Sequence, residues 1–263
     1  MSKTLARSVA TSVATSGYLD IMHSGETYRV LLKRAPAARR FTLRVRAATR
    51  DVTLTMPRRG ALADAKDFAE RHAAWIGARL RRLPAPVPFT DGSVIPFRGI
   101  PHLIVHRPDR RGTVWVEPAL GAQAEIAPQL ICVAGAGEHV ARRLLDFLKA
   151  NAKADIERAV RKHASSIGKI PRRVTLRDTS SRWGSCSASG SLNFSWRLIF
   201  APAMILDYLA AHEVGHLIYL DHSPRFWKLV KSLAPETDRA EAWLSANGSS
   251  LHRYGKATVE SDG

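Results

Sequence analysis

The chain has 263 residues, of which 45% are hydrophobic, a content typical of globular proteins. This length can bury a proper core, either as one elaborated domain or as two small ones. No apolar run approaches the roughly 18 residues of a membrane helix, so we expect a soluble protein without a membrane partner. The two cysteines, Cys132 and Cys186, argue against a disulfide framework and favour a reducing, cytoplasmic setting.

The net charge of +17 predicts attraction to polyanions such as nucleic acid or acidic protein surfaces. The arginines are scattered rather than interleaved with a stacking motif, so a basic surface without a specific partner is an equal alternative. Arg39, Arg40, Arg44 and Arg46 fall near one another, as a basic face for an anionic partner or as the solvated side of a sheet. Nucleic acid is therefore a candidate partner that charge alone does not establish.

The N-terminal half predicts a tail and a small β-rich region. Residues 1–20 are expected to form a disordered tail, although their composition also resembles a transit peptide. Residues 21–135 predict an antiparallel, β-rich region with one helix at 62–82, and the proline-rich run 83–88 favours a stiff connector inside it. Apolar and polar residues alternate in the predicted strands, which are 28–34, 41–46, 52–56, 94–97, 103–106, 114–117 and 130–133.

Residues 136–245 predict a C-terminal domain in which helices predominate, so the fold class of the chain is α+β. A long helical stripe covers 138–166, and shorter helices are predicted at 225–233 and 236–245. Residues 174–177 and 191–197 are predicted strands on either side of a turn at 188–190, which indicates a β-hairpin. Residues 246–263 are expected to be a flexible tail.

The most informative stretch is His212-Glu213-Val214-Gly215-His216. Two histidines four residues apart on a helix lie one turn above each other, so both rings can reach one metal ion. The residues around them are apolar on nearly every side, which predicts a buried helix. The alternative is a buried helix that carries two histidines without a ligand. A metal explains better why imidazoles and a carboxylate are buried together.

A third metal ligand is needed, because a catalytic zinc usually has three protein ligands and an open fourth position. His222 is the candidate, but it lies about 240° around a regular helix from His216, so the helix must end between them. Pro224 disfavours helical geometry at Ser223 and supplies this break. Glu213 follows the first ligand and is placed to act as general base on a water activated by one zinc ion.

Arg182 and Trp183, in the predicted hairpin, are candidate substrate-binding residues. A sheet edge beside a metal cleft can hold an extended peptide through backbone hydrogen bonds, and Arg182 could stabilise an oxyanion or orient a carbonyl. A structural role in the hairpin is an equal alternative for Arg182, Trp183 and Cys186. His252 and Tyr254 are weaker candidates for a transition-state donor, and a frayed tail is the favoured alternative for them.

Together these elements resemble the YgjP-like metallopeptidase family from about residue 36 to residue 235. The resemblance is carried by R-W-G-S-C at 182–186, Leu192-Asn193, Trp196-Arg197-Leu198, H-E-x-x-H at 212–216, His222-Ser223 and Phe226-Trp227. It implies a zincin-like catalytic core at 136–245 and a ligand set related to that of SprT-like proteases, which act on DNA-bound proteins. It further implies that His212, His216 and His222 bind zinc and that Glu213 is the catalytic acid/base.

The sequence therefore predicts a zinc metalloendopeptidase that hydrolyses proteins or peptides. The alternative is a nucleic-acid-associated metal-binding module, which the net charge keeps open. Glu213 argues against it, because a structural zinc site needs no base and usually has a fourth protein ligand. A protease recruited by DNA or RNA would combine both hypotheses. Cleavage preference and oligomeric state do not follow from the sequence.

Overall fold

The structure, a computed structural model, describes residues 17–47, 49–118 and 127–255. It divides the chain into two compact units, Met1–Leu83 and Pro84–Gly263. Each unit has a hydrophobic core of its own. Helices and short sheets occur in both, so the α+β class predicted from the sequence is confirmed.

The first unit combines a four-stranded sheet with two consecutive helices. Its elements are β1 (Gly17–His23), β2 (Glu26–Ala35), β3 (Thr42–Val45), β4 (Val52–Pro57), α1 (Leu62–Arg71) and α2 (Ala73–Arg81). The strand order is β1-β2-β4-β3, in which β2 and β4 are parallel and the other pairs are antiparallel. The predicted antiparallel region is thus a mixed sheet, because β4 inserts between β2 and β3.

Two details of this unit differ from the sequence prediction. Of the predicted tail at 1–20, residues 1–16 lie outside the described residues. Residues 17–20 belong to strand β1, in which Ile21 is buried. The single predicted helix at 62–82 is interrupted at His72, whose ψ of 9° leaves the helical region. The His72 ring nitrogen Nδ1 is 2.8 Å from the Phe68 carbonyl oxygen, which an uninterrupted helix would bond to the backbone N–H of residue 72.

The second unit contains a four-stranded sheet, a three-stranded sheet and the longest helix among the described residues. Its elements are β5 (Val94–Phe97), β6 (Ile100–Arg107), β7 (Val114–Glu117), β8 (Gln129–Ala134), α3 (Val140–Ser166), β9 (Arg173–Arg177), β10 (Gly184–Cys186), β11 (Ser191–Ser195), α4 (Ala203–Gly215), α5 (Pro224–Leu233) and α6 (Thr237–Asn247). The strand orders are β5-β6-β8-β7 and β10-β11-β9.

The strands of residues 94–135 belong to the second unit, although the sequence prediction grouped them with the N-terminal region. Ile104 and Ile131 of this sheet are fully buried in the same core as Leu144 and Leu148 of α3. The division between the units therefore falls at Leu83 and Pro84, in the proline-rich connector, and not at residue 135. The strands belong to the second unit because their buried residues share one core with α3, and the sequence does not show which distant segments share a core.

The predicted β-hairpin is real but has a different partner strand. β10 and β11 form the antiparallel pair, with Ser185 opposite Asn193, whereas β9 pairs with β11 in parallel. The chain between β9 and β10 therefore crosses over the C-terminal end of β11, which lies between these two strands. This crossing segment, residues 178–183, carries Arg182 and Trp183 next to the short edge strand β10.

The first part of the predicted flexible tail at 246–263 is ordered, up to residue 255. Residues Gly248–Arg253 form a 3₁₀ helix in which Leu251 and His252 are buried. Leu251 joins the main core of the unit, and Tyr254 packs against Phe200 with 4.9 Å between the ring centroids. Residues 256–263 lie outside the described residues.

The helices and the two cysteines bear on the expected cellular setting of the protein. In the described part of the chain, no helix combines the length and the apolar character needed to cross a membrane. Cys132 and Cys186 are both free thiols. The cytoplasmic location stays a prediction from the sequence.

Candidate metal centre

Helix α4 carries the first candidate ligand, and the second, His216, is its C-cap residue. The helix is buried because its sides are apolar. Ile205, Leu209 and Val214 lie in the core, and α3 packs along the helix as expected from its apolar stripe. His212 and His216 follow each other by one turn, with 5.0 Å between their ring centroids. The buried helix thus holds two imidazoles side by side.

The third histidine reaches the same point because α4 ends at Gly215. Residues 216–218 continue only as a turn, and Ser223 then starts α5 by accepting a hydrogen bond from the backbone N–H of Phe226. His222 lies at the end of this reversal, with its Nε2 3.2 Å from Nε2 of His212. One nitrogen from each of the three rings lies within 4.8 Å of the others.

Hydrogen bonds on the far side of two rings orient them toward this point. The His216 Nδ1–H donates to the carbonyl oxygen of Tyr219 at 2.9 Å, which leaves Nε2 as the free lone pair. His212 Nδ1 lies 3.4 Å from the Tyr208 hydroxyl, which itself donates to Glu241 at 3.0 Å. Such outer partners fix the tautomer of a metal-binding histidine and raise the basicity of its nitrogen.

The protonation states favour metal binding. Burial and the two neighbouring imidazoles lower the pKa of His212 to about 4, and burial likewise lowers the pKa of His216. Both rings are therefore neutral near pH 7, which is the form that coordinates a metal.

Glu213 is buried on the same helix, with 4% of its surface exposed. Among the described residues its Oε2 has no hydrogen-bond partner. Burial raises the pKa of this carboxyl to about 7, and the positive charge of Arg182 partly opposes the rise. A carboxyl with this pKa can both accept and release a proton near neutral pH, as general acid–base catalysis requires.

The spacing of two of the three nitrogens matches that of ligands around a tetrahedral metal ion. Metal–nitrogen bonds of 2.0–2.1 Å in a tetrahedron place the donor atoms about 3.3 Å apart. The distance between Nε2 of His212 and Nε2 of His222 is 3.2 Å, and the ligand atoms of all three rings lie within 4.8 Å of one another. Three imidazole donors leave one position of a tetrahedron open, which is the pattern of catalytic rather than structural sites.

A family model described as "YgjP-like, metallopeptidase domain" matches residues 39–247. The chain belongs to this family. It is a metallopeptidase of YgjP-like type, and as a peptidase it acts on proteins or peptides. Comparison with curated proteins and with solved structures gave no match.

Gly184 of β10 explains how this YgjP-like peptidase accommodates a buried carboxylate. A Cβ at residue 184 would lie 2.8 Å from Cδ of Glu213 and still closer to Oε1. Both atoms belong to the carboxylate end of the Glu213 side chain, so an added methyl group would have to displace the carboxylate from its position. The glycine of R-W-G-S-C is therefore required for space, at the point where β10 packs on α4.

We expect Gly184→Ala to lower peptidase activity about 10- to 100-fold without loss of bound metal, because the added methyl group displaces the carboxylate and leaves the three histidines in place. The measurement is kcat together with metal content. Gly137→Ala is the control, since the nearest atom to a Cβ there is 3.7 Å away. Full activity of Gly184→Ala would contradict this role of the glycine.

The two candidate substrate residues have different surroundings. Arg182 is exposed and lies near enough to Glu213 to affect its pKa. The indole of Trp183 instead stacks on His252 at 4.9 Å and packs against Gly248, where a Cβ would lie 3.2 Å from its Nε1. The contacts of Trp183 are thus those expected for a structural role in the hairpin. Arg182 is better placed than Trp183 to contact a substrate.

Arg197 holds the segment that carries these residues. Its guanidinium forms two hydrogen bonds to the Asp178 carboxylate, at 2.7 and 3.1 Å, and donates to the carbonyl oxygen of Tyr254 at 2.8 Å. The side chain is 10% exposed, and it lowers the pKa of Asp178 against the opposing effect of burial. Arg197 therefore ties residue 178, the start of the crossing segment, to the C-terminal end of the unit.

Sequence reasoning missed Tyr208, Glu241 and the spatial role of Gly184. Tyr208 precedes His212 by one helical turn, so its place on the same face could have been predicted. Glu241 carries no such signal, because α6 reaches Tyr208 only through the tertiary fold. His252, expected in a frayed tail, is buried against Trp183.

Proposed function

We propose that this chain is a zinc-dependent endopeptidase in which His212, His216 and His222 hold one zinc ion and Glu213 is the general base and acid. The convergence of three imidazole nitrogens next to a buried, unpartnered carboxylate carries this proposal. A structural metal site would have no use for that carboxylate and would usually have a fourth protein ligand. Family membership independently supports a metal-dependent peptidase.

Glu213 performs the proton transfers in this mechanism. When bound, zinc supplies a Lewis acid that polarises the scissile carbonyl and makes water a nucleophile at neutral pH. Glu213 accepts the proton of the attacking water and then delivers it to the leaving amine. Burial raises the pKa of Glu213, which favours proton uptake by this carboxylate, and Gly184 provides the space in which the carboxylate is held.

The substrate is proposed to bind as an extended peptide along β10. Among the described strands β10 pairs only with β11, so its other edge can offer backbone N–H and C=O groups to a peptide. β10 also packs on α4, the helix of Glu213. The exposed guanidinium of Arg182, just before β10, would then orient a substrate carbonyl or stabilise the developing negative charge on it.

Metal removal and return tests the proposal. We expect casein hydrolysis by the purified chain to fall to background after dialysis against a chelator and to recover when about one equivalent of zinc is added back. The measurement pairs metal content with hydrolysis at each stage, and magnesium is the control ion because three imidazoles do not suit it. Unchanged hydrolysis by metal-free protein would contradict the proposal.

A further inference from the structure

A second candidate site lies within the first unit, where α2 runs beside β3. One face of α2 presents Trp75, Ala78, Arg79 and Arg82, which follow the i, i+3, i+4, i+7 spacing of a helical stripe. Together with Arg44 and its neighbours on β3, this face lines a groove of about 550 Å³. β3 is the last strand in the order of its sheet, so the groove runs along a sheet edge.

The groove has a positive charge that no lining residue offsets. Arg44, Arg79 and Arg82 are exposed, and none of them pairs with a carboxylate in the part of the chain that the structure describes. Arg81, which does not line the groove, by contrast pairs with Glu26 at 3.3 Å. The three groove arginines therefore retain their full donor capacity for an anionic ligand from outside.

Trp75 gives the groove an aromatic surface. The side chain is 46% exposed, although the next residue, Ile76, is completely buried in the core of the unit. The burial of Ile76 fixes the helix, and this fixes the position of the indole beside the arginines. A large exposed aromatic ring among arginines is the combination found in proteins that bind single-stranded nucleic acid.

We propose that this groove binds single-stranded nucleic acid, with phosphates on Arg44, Arg79 and Arg82 and a base stacked on Trp75. Guanidinium groups match phosphate oxygens in a bidentate fork. A duplex would offer the same phosphates but hides its base faces, so the exposed indole favours a single strand over a duplex. An acidic peptide would use the charge and leave the indole unused.

This proposal is independent of the peptidase chemistry, because every residue in it belongs to the first unit and all candidate metal ligands belong to the second. It assigns a binding role to three of the arginines that contribute to the net charge of +17. Binding there would attach the peptidase to single-stranded DNA or RNA and so bring it to proteins that occupy the same strand.

The test measures binding of fluorescein-labelled oligo-dT and oligo-U to the full chain by anisotropy over a series of salt concentrations. Three variants are compared with the parent: Trp75→Ala, the double variant Arg79→Gln/Arg82→Gln, and Arg58→Gln/Arg59→Gln. The last pair removes the same charge from exposed positions of the same unit outside the groove. Casein hydrolysis and circular dichroism are recorded for each variant to confirm that it is folded.

We expect Trp75→Ala to weaken binding roughly 5- to 150-fold, the effect of removing one stacked base, with little change in salt dependence. Arg79→Gln/Arg82→Gln should reduce the slope of log K against log salt by about 0.7 for each phosphate that is no longer neutralised. The Arg58/Arg59 control should stay within about twofold of the parent at 0.1 M salt, because neither residue lines the groove and salt screens exposed charges.

Several results would overturn the site. Equal weakening by the two arginine pairs would mean that only net charge matters, and an unaffected Trp75→Ala would remove the stacking role. Tighter binding of duplex DNA, or of poly-glutamate, than of oligo-dT would assign the groove to a different ligand. Absence of binding at low salt would exclude nucleic acid altogether.

Discussion

The Glu213→Gln variant should keep its metal and lose about 10²- to 10⁴-fold in kcat, which is the usual contribution of a general acid–base residue. Glutamine has nearly the shape of glutamate, so it fits the space beside Gly184, but its amide cannot accept a proton from water. The three imidazoles are unchanged by the substitution. Metal binding and catalysis should therefore separate in this single variant.

The measurement is zinc content by elemental analysis and casein or peptide hydrolysis on the same preparation. Glu138→Gln is the matched control, because Glu138 is an exposed glutamate in the same unit, away from the three histidines. A Glu213→Gln protein within tenfold of parental activity would show that another group moves the proton. Loss of metal from this variant would instead assign Glu213 a role in holding the ion.

Replacing His222 by Ala should reduce metal affinity and activity together. The substitution removes one of three ligands, and even changes to the outer partners of metal-binding histidines cost 10- to 100-fold, so we expect more than about 100-fold weaker zinc binding. His222 is exposed, which means that the substitution should leave the fold intact. After dialysis, the variant should contain well under one equivalent of zinc.

The control for this variant is His139→Ala, another exposed histidine in the same unit. High concentrations of added zinc should restore part of the activity of His222→Ala but none of that of Glu213→Gln, because only the first defect is one of affinity. Stoichiometric zinc and full activity in His222→Ala would mean that the third ligand lies elsewhere in the chain.

The cluster of three histidines was predictable from the sequence because the main requirement is local. His212 and His216 are four positions apart on one helix face, and Pro224 indicates the reversal that returns His222 to the first two rings. The apolar flanks also predicted the burial of α4. These are properties of a single helix and the turn after it, so they do not depend on the rest of the fold.

The parts that the sequence did not predict depend on pairing between distant segments. β9 alternates as a strand would, but nothing local tells whether it meets β11 in parallel or antiparallel. Glu241 reaches Tyr208 across 33 residues of sequence, and the close approach of Gly184 to Glu213 exists only once β10 has packed on α4. Likewise, His72 interrupts a helix whose periodicity continues across it.

The shortness of β10 has a consequence for the choice of substrate. A three-residue edge can pair with only a few backbone groups, and those pairings are the same for any sequence. In a polypeptide that is already part of a helix or sheet, the backbone N–H and C=O groups are bonded to one another and cannot pair with β10. The enzyme would therefore distinguish proteins by their state of folding, cutting unfolded or frayed segments and sparing compact domains of identical composition.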